Sequence, residues 1–172
     1  MSSPQANNKS YEAYGRYMVT RDRLNAVLDA AIIQETQMRV SHGVLLVSQL
    51  TPKGRLAVLR AILSQAGGEK ADLVPMLAEI AQELKHNAVA GGIASVAEGG
   101  LNFTRTDIGV RALGSVTGYS ADEMAEAADS LAGHVDALAE ALGIDEEALA
   151  RLTRSVGEMA TRKTKDVLVD EE

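Results

Sequence analysis

The stretch SADEMAEAADSLAGHVDALAEAL, Ser120 to Leu142, decides the class of fold. Its apolar residues recur at alternating intervals of four and three, the spacing that keeps one face of an α-helix turned towards a partner helix. This seam consists of Met124, Ala128, Leu131, Val135, Leu138 and Leu142. Ser120 and Glu123 occupy the positions of a capping box, in which each residue's side chain accepts a hydrogen bond from the other's backbone N–H. The stretch therefore predicts a capped amphipathic helix over residues 121–142.

A second helix is predicted directly after this one. Gly143 suits the left-handed residue that ends many helices, and Asp145 can cap the helix that follows. Ile144 and Leu149 flank this cap as a hydrophobic staple. We therefore expect a tight corner between two helices.

This corner also has the pattern of a DNA-binding helix-turn-helix, LAEALGIDEEALARLTR, Leu138 to Arg154. In that interpretation Arg151 and Arg154 are the candidate DNA contacts. The three acidic residues at 145–147 argue against it, because they would meet phosphates with like charge at the start of the recognition helix. An ordinary helical corner is the favoured interpretation, and a helix-turn-helix transcriptional regulator is the first alternative.

A long first helix is predicted upstream, because residues 10–50 contain no Pro and only two Gly. A helix from Thr20 to Leu50 would be about 45 Å long. Its seam comprises Leu24, Leu28, Ala31, Glu35, Met38, His42 and Leu45. Glu35 and His42 are polar interruptions of this seam, and we favour a role in register or self-pairing over a catalytic one.

Two further helices are predicted in the middle of the chain. Thr51 can cap a helix that begins at Pro52, since Pro fits the first helical position, and the Gly pair at 67–68 ends that helix. Asp72 can cap the helix that follows, which has an apolar stripe at helical spacing.

The stretch KHNAVAGGIASVAEGGLNF, Lys85 to Phe103, is interpreted as the continuation of that helix. We expect residues 88–96 to be helical, to kink at Gly91 and Gly92, and to end at the Gly pair 99–100. The small side chains would let another helix approach closely. A phosphate-binding loop is the alternative, but no predicted strand precedes the glycines.

Residues 104–116 are predicted to form a further short helix that ends at Gly118, and no stretch shows convincing strand alternation. The predicted fold is all-α: a single-domain bundle of five or six helices built on the long first helix. We expect a polar N-terminal arm over residues 1–9, the helical domain over 10–166 and an acidic tail over 167–172.

Composition excludes several chemistries. The chain has no Cys, so it forms no disulfide and has no thiol nucleophile, and its single Phe and absent Trp argue against nucleotide stacking. No signal sequence or membrane-spanning run is visible, so we expect a cytoplasmic protein without a membrane span.

The net charge of −7 is unevenly distributed along the chain. Residues 1–65 carry eight Lys or Arg and four acids, whereas residues 119–150 carry nine acids and no Lys or Arg. The acidic helix has a solvated face in the simpler interpretation. In the other interpretation it associates with the basic surface of a second copy, formed by Arg16, Arg21, Arg23 and Arg39.

No residue is assigned a catalytic, cofactor-binding or metal-binding role. Glu83 and His86 form half of a di-iron carboxylate motif, but such sites need a second Glu-x-x-His that the chain lacks. His42 or His86 could accept a phosphoryl group on a helical bundle, which makes a signalling protein the second alternative.

We therefore expect a non-enzymatic helical interaction or assembly protein, a homo-oligomer that is a component or regulator of a larger bacterial or phage assembly. Neither a cofactor nor a nucleic-acid partner is expected. The candidate interaction residues are Glu35, His42, Gly91, Gly92, Met124, Leu131, Val135 and Leu138.

Overall fold

The computed structural model describes residues 4–86, 93–97, 100–104 and 116–169. This part of the chain contains six α-helices, a 3-10 helix over Gly68–Leu73 and a small sheet, so the predicted helical fold is confirmed. The helices are α1 Pro4–Glu35, α2 Val40–Val47, α3 Pro52–Ala66, α4 Val74–His86, α5 Ala121–Leu142 and α6 Glu146–Val169. The strands are β1 Ile93–Ala97, β2 Gly100–Thr104 and β3 Val116–Ser120.

The chain divides into two compact units. The first unit comprises Met1–Arg23 and Ala78–Val135, and the second comprises Leu24–Leu77 and Asp136–Glu172. Both units therefore combine segments that are distant in the sequence.

The long first helix is confirmed, but its predicted bounds are wrong. α1 has 32 residues and is about 48 Å long. It begins at Pro4, so residues 4–9 of the predicted arm belong to the helix, and it ends at Glu35, before the separate helix α2. The single helix predicted over residues 10–50 is thus interrupted at residues 36–39.

Gln37 makes this interruption, because its φ of 52° lies in the left-handed region. Its N–H donates to the carbonyl of Gln34 at 3.1 Å, and the N–H of Met38 donates to the carbonyl of Ile33 at 3.2 Å. This pair of bonds is the Schellman motif, which usually has Gly at the left-handed position. The sequence therefore lacks the usual signal for the end of α1.

The helix over residues 121–142 is confirmed with its capping box. The backbone N–H of Ser120 donates to the carboxylate of Glu123 at 2.8 Å, and the N–H of Glu123 donates to Oγ of Ser120 at 3.2 Å. The backbone and hydroxyl hydrogen bonds from Ser120 hold the pKa of the Glu123 carboxyl below its usual value.

The corner after α5 is also confirmed. Gly143 has a φ of 64°, and the N–H of Ile144 donates to the carbonyl of Ala139 at 2.9 Å. The carboxylate of Asp145 then caps α6 by accepting from the N–H of Ala148 at 2.7 Å.

In the middle of the chain, the predicted start and end of α3 are confirmed. Oγ1 of Thr51 accepts from the N–H of Gly54 at 3.1 Å, and Gly67 follows the helix with a φ of 68°. The predicted cap at Asp72 is wrong, because Asp72 lies within the 3-10 helix and α4 begins at Val74.

The predicted helices over residues 88–96 and 104–116 are wrong where the structure describes them. Residues 93–97 form β1, and Thr104 and Val116 belong to β2 and β3. The three strands pair antiparallel in the order β1-β2-β3. Gly100 pairs with Ser120, and a Cβ at Gly100 would lie 2.3 Å from the carbonyl oxygen of Tyr119. Close backbone approach, rather than helix termination, explains this glycine.

The core of the first unit includes an aromatic cluster. The ring of the fully buried Phe103 lies 5.6 Å from that of Tyr14 and 5.9 Å from that of Tyr119. These distances are typical of stabilising aromatic pairs. The cluster packs the sheet against the N-terminal part of α1.

The core of the second unit is aliphatic and surrounds the C-terminal part of α1. Its fully buried large side chains include Leu24, Leu28, Ile32, Leu59 and Leu63. Arg55 on α3 binds Asp29 on α1 with 2.6 Å between Nε and Oδ1. Burial raises the pKa of Asp29, and the Arg55 guanidinium acts in the opposite direction.

Candidate interaction surface

α2 exposes large apolar side chains as well as burying them. Gly43, Val44 and Val47 are buried, whereas Leu45 is 59% exposed and Leu46 is 42% exposed. Ser41 and His42 are also exposed on α2, but adjacent exposed leucines on so short a helix form apolar surface of the kind that partners cover. The outer face of α2 is therefore the best candidate for a contact with another chain.

This exposed apolar surface extends into the turn before α2. Among the described residues, nine large apolar side chains are 40% exposed or more, and four of them lie within nine consecutive residues. These four are Met38, Val40, Leu45 and Leu46, which we call the 38–46 surface. Concentrated apolar exposure of this kind marks interaction sites.

An open groove of about 320 Å³ adjoins the 38–46 surface. Met38 and Val40 belong to both, and Ile33, Gln37, Arg151 and Leu152 also line the groove. α2 packs against α6, so the groove has walls from α1, the turn and α6. The lining is mainly apolar, and Arg151 is its charged member.

A hydrogen bond ties one lining residue of the groove to a neighbouring helix. Gln34, another lining residue, donates from Nε2 to the carbonyl of Leu142 at 2.9 Å. This bond joins the last turn of α1 to the last turn of α5. Ile33 and Met38 stand at the two positions of the Schellman motif whose side chains commonly touch.

Arginines lie in the groove and on the elements that form it. Arg39 and Arg154 are exposed, as is Arg151 in the lining. Glu147, four residues before Arg151 on α6, is the acid nearest to it along that helix. The groove therefore favours a partner that combines apolar groups with negative charge.

The arginines proposed as DNA contacts are Arg151 and Arg154. Arg151 lines the groove, and Nε of Arg154 donates to the carbonyl of Ala150 at 3.4 Å. Exposed Glu146 and Glu147 occupy the first turn of α6. DNA binding by this unit stays a prediction.

The predicted interaction residues on the first seam are separated in the structure. Glu35 is the last residue of α1, and its carboxylate binds Nζ of Lys70 at 2.6 Å within the chain. His42 lies on the exposed face of α2, beside the 38–46 surface. Gly91 and Gly92 lie outside the described residues.

The predicted interaction residues on α5 belong to the interior. Met124, Leu131, Val135 and Leu138 are fully buried. Their heptad spacing is therefore used within the fold.

The acidic helix is also partly engaged within the chain. The guanidinium of Arg16 forms an ion pair and hydrogen bond with the carboxylate of Asp129. Both side chains are largely exposed, so the pair contributes roughly 0–1 kcal/mol. We predicted that the acidic helix attracts Arg16 of a second copy, but in the structure Arg16 pairs with Asp129 of its own chain.

A second, wider groove of about 460 Å³ lies in the first unit. His134 Nδ1 lies 3.0 Å from a carboxylate oxygen of Glu83, and its Nε2 lies 3.9 Å from one of Glu79. Burial raises the pKa of Tyr17 to about 12, and the charge of Glu83 acts in the same direction. Glu83, half of the predicted Glu-x-x-His motif, thus pairs with a histidine on another helix.

Within the described residues, no group of three or more His, Cys, Asp or Glu residues could hold a metal ion. None of the helices described is long and apolar enough to cross a membrane.

Comparison with models of protein families, with curated proteins and with solved structures gives no match.

Sequence reasoning missed the 38–46 surface and the groove. The run GVLLV, Gly43 to Val47, places apolar residues on every side of a helix, and this pattern could have indicated an uncovered face. The groove has no such signal, because α1 and α6 supply its walls from distant parts of the chain.

Proposed function

We propose that the protein is a non-enzymatic helical module that binds a second copy of itself through the 38–46 surface and the adjoining groove. In this function each chain is a subunit of a larger assembly. The observation that carries the proposal is the exposure of Leu45 and Leu46 on a helix whose other face is buried.

Apolar burial supplies the driving force. Removing apolar surface from water contributes roughly 25 cal/mol per Å² before the entropic penalty of association. Leu45 and Leu46 are adjacent on α2, Val40 is the first residue of that helix, and Met38 lies in the turn before it. A partner that covers this short segment therefore removes several large side chains from water together.

Charge supports a second copy as the partner. Arg151 lines the groove and Arg39 and Arg154 are exposed on the elements that form it, while the chain as a whole carries a net charge of −7. Exposed carboxylates such as Glu126 and Glu140 lie on α5. Another copy thus presents acidic surface to a basic rim, which favours encounter between the two.

Sedimentation equilibrium of the double variant Leu45→Ser, Leu46→Ser tests the proposal. We expect the wild type to form oligomers and the double variant to be monomeric at the same concentration, because the apolar contact is lost. Val19→Ser is the matched control, since Val19 is 70% exposed on α1 in the first unit.

The control should keep the wild-type mass, and circular dichroism should show that all three proteins are folded. A monomeric wild type, or a double variant that associates as strongly as the wild type, would contradict the proposed function.

A further inference from the structure

The groove in the second unit is lined by apolar side chains and an arginine, so it favours an occupant with both apolar and acidic groups. Ile33, Met38 and Leu152 present apolar surface, and Arg151 places a guanidinium in the same lining. Arg39 and Arg154 add exposed positive charge on the neighbouring elements. A segment with consecutive apolar side chains followed by carboxylates fits this arrangement.

We propose that the occupant of the groove is the segment VLVDEE, Val167 to Glu172, of a second copy. This inference rests on the proposed function and names the part of the partner that binds. The segment has three apolar residues followed by three acids. Its apolar residues suit the groove walls, and its acids suit Arg151 and the arginines of the rim.

The same copy cannot supply this segment. Val167–Val169 is the end of α6, and Arg151 lies near the beginning of that helix. A separation of 16 to 18 residues corresponds to about 24–27 Å along a helix axis. The apolar part of the segment would have to leave α6 to reach the groove of its own chain, whereas the segment of another copy needs no unfolding.

The arrangement has a consequence for assembly. A groove on one copy that receives residues 167–172 of another makes a heterologous, head-to-tail contact. Such contacts close into rings or continue as filaments, depending on the rotation between subunits. Each copy has this groove in its described residues and the 167–172 segment in its sequence.

Charge reversal with mixing is the decisive experiment. One variant is Arg151→Glu, and the other carries Asp170→Lys, Glu171→Lys and Glu172→Lys. We expect each variant alone to associate about tenfold more weakly than the wild type or worse, since like charges would meet at the contact. An equimolar mixture should regain association, because each groove then meets a segment of opposite charge.

Arg60→Glu is the matched control, since Arg60 is exposed on α3 and does not line the groove. It should associate like the wild type, which would show that charge reversal elsewhere on the second unit leaves the contact intact. A synthetic peptide of residues 163–172, added to the wild-type protein, should dissociate the oligomer, whereas a scrambled peptide should not. The peptide arm keeps the inference testable if Arg151→Glu fails to fold.

Several outcomes would overturn the inference. These are wild-type association by both single variants, a mixture that stays dissociated although both variants fold, and a peptide that has no effect. If in these cases the wild type is an oligomer and the double variant Leu45→Ser, Leu46→Ser is a monomer, the proposed function stands without this partner segment. A monomeric wild type would remove both.

Discussion

The turn between α1 and α2 and the turn between α5 and α6 use the same backbone hydrogen bonds, but they differ in the residue at the left-handed position. Gly143 has a φ of 64° in one, and Gln37 has a φ of 52° in the other. A side chain in this conformation costs roughly 1–2 kcal/mol. The helices that follow also differ, because Asp145 caps α6 and Arg39 provides no side-chain cap for α2.

This difference shows that the turn before α2 is locally less stable than the turn before α6. Gln37 and Met38 line the groove, and the uncapped helix α2 carries the exposed Leu45 and Leu46. Strained or poorly capped backbone is concentrated at functional sites in natural proteins. The comparison of the two turns therefore places the interaction site at α2 and the turn before it, where the exposed apolar side chains also lie.

Gly43→Val is expected to have the largest effect on the turn before α2. A Cβ at Gly43 would lie 2.4 Å from Cγ1 of Ile33, so the larger residue should push α2 away from α1. We expect a loss of about 1–3 kcal/mol in the free energy of unfolding, measured by urea titration. Gly133→Val is the control, because no atom lies within 4 Å of a Cβ there. Equal stability of the two variants would show that close packing does not hold α2.

Exchanging the residue types at the two left-handed positions should have opposite effects. Gly143→Ala should lower the free energy of unfolding by about 1–2 kcal/mol, since Ala is strained at a positive φ. Gln37→Gly should raise it by up to about 1 kcal/mol, because relief of strain is partly offset by the greater freedom of the unfolded chain. Thermal melts measure both effects. Gln37→Gly should also weaken association, because Gln37 lines the groove. Unchanged association would show that the strained turn is not needed for binding.

The missing cap should give the smallest effect. Arg39→Ser supplies a side-chain oxygen that can accept from a backbone N–H in the first turn of α2. We expect the free energy of unfolding to rise by about 0.5–1 kcal/mol, the value of an ordinary cap. Asp145→Ala measures the corresponding loss at α6 under the same conditions. A destabilised Arg39→Ser variant would indicate that Arg39 already stabilises this turn in another way.

These two turns also explain how far the sequence determines the fold. The end of α5 was predictable because Gly143 is the usual residue of the motif, whereas Gln37 carries no such signal. The sheet was missed because its glycines resemble helix breaks. Alternation in Leu101-Asn102-Phe103 is short, although it buries Leu101 and Phe103 as a strand requires.

The candidate site was less predictable than the fold. His42 was identified as an interruption of a seam, yet it lies on a different helix from Glu35. The groove depends on the packing of α6 beside α2, and no spacing in either helix specifies that neighbour. Periodicity identifies which face of a helix is apolar, but it does not show which apolar residues stay uncovered.

Sedimentation equilibrium of the wild-type protein at low and high salt tests the central claim most directly. Salt screens exposed charges, with a Debye length of about 10 Å at 0.1 M, and leaves apolar contacts in place. With salt set at about 50 mM and about 500 mM around that point, we predict a mass above the 18.2 kDa of one chain in both conditions, falling on dilution. A mass of 18.2 kDa at every concentration and salt would contradict the account.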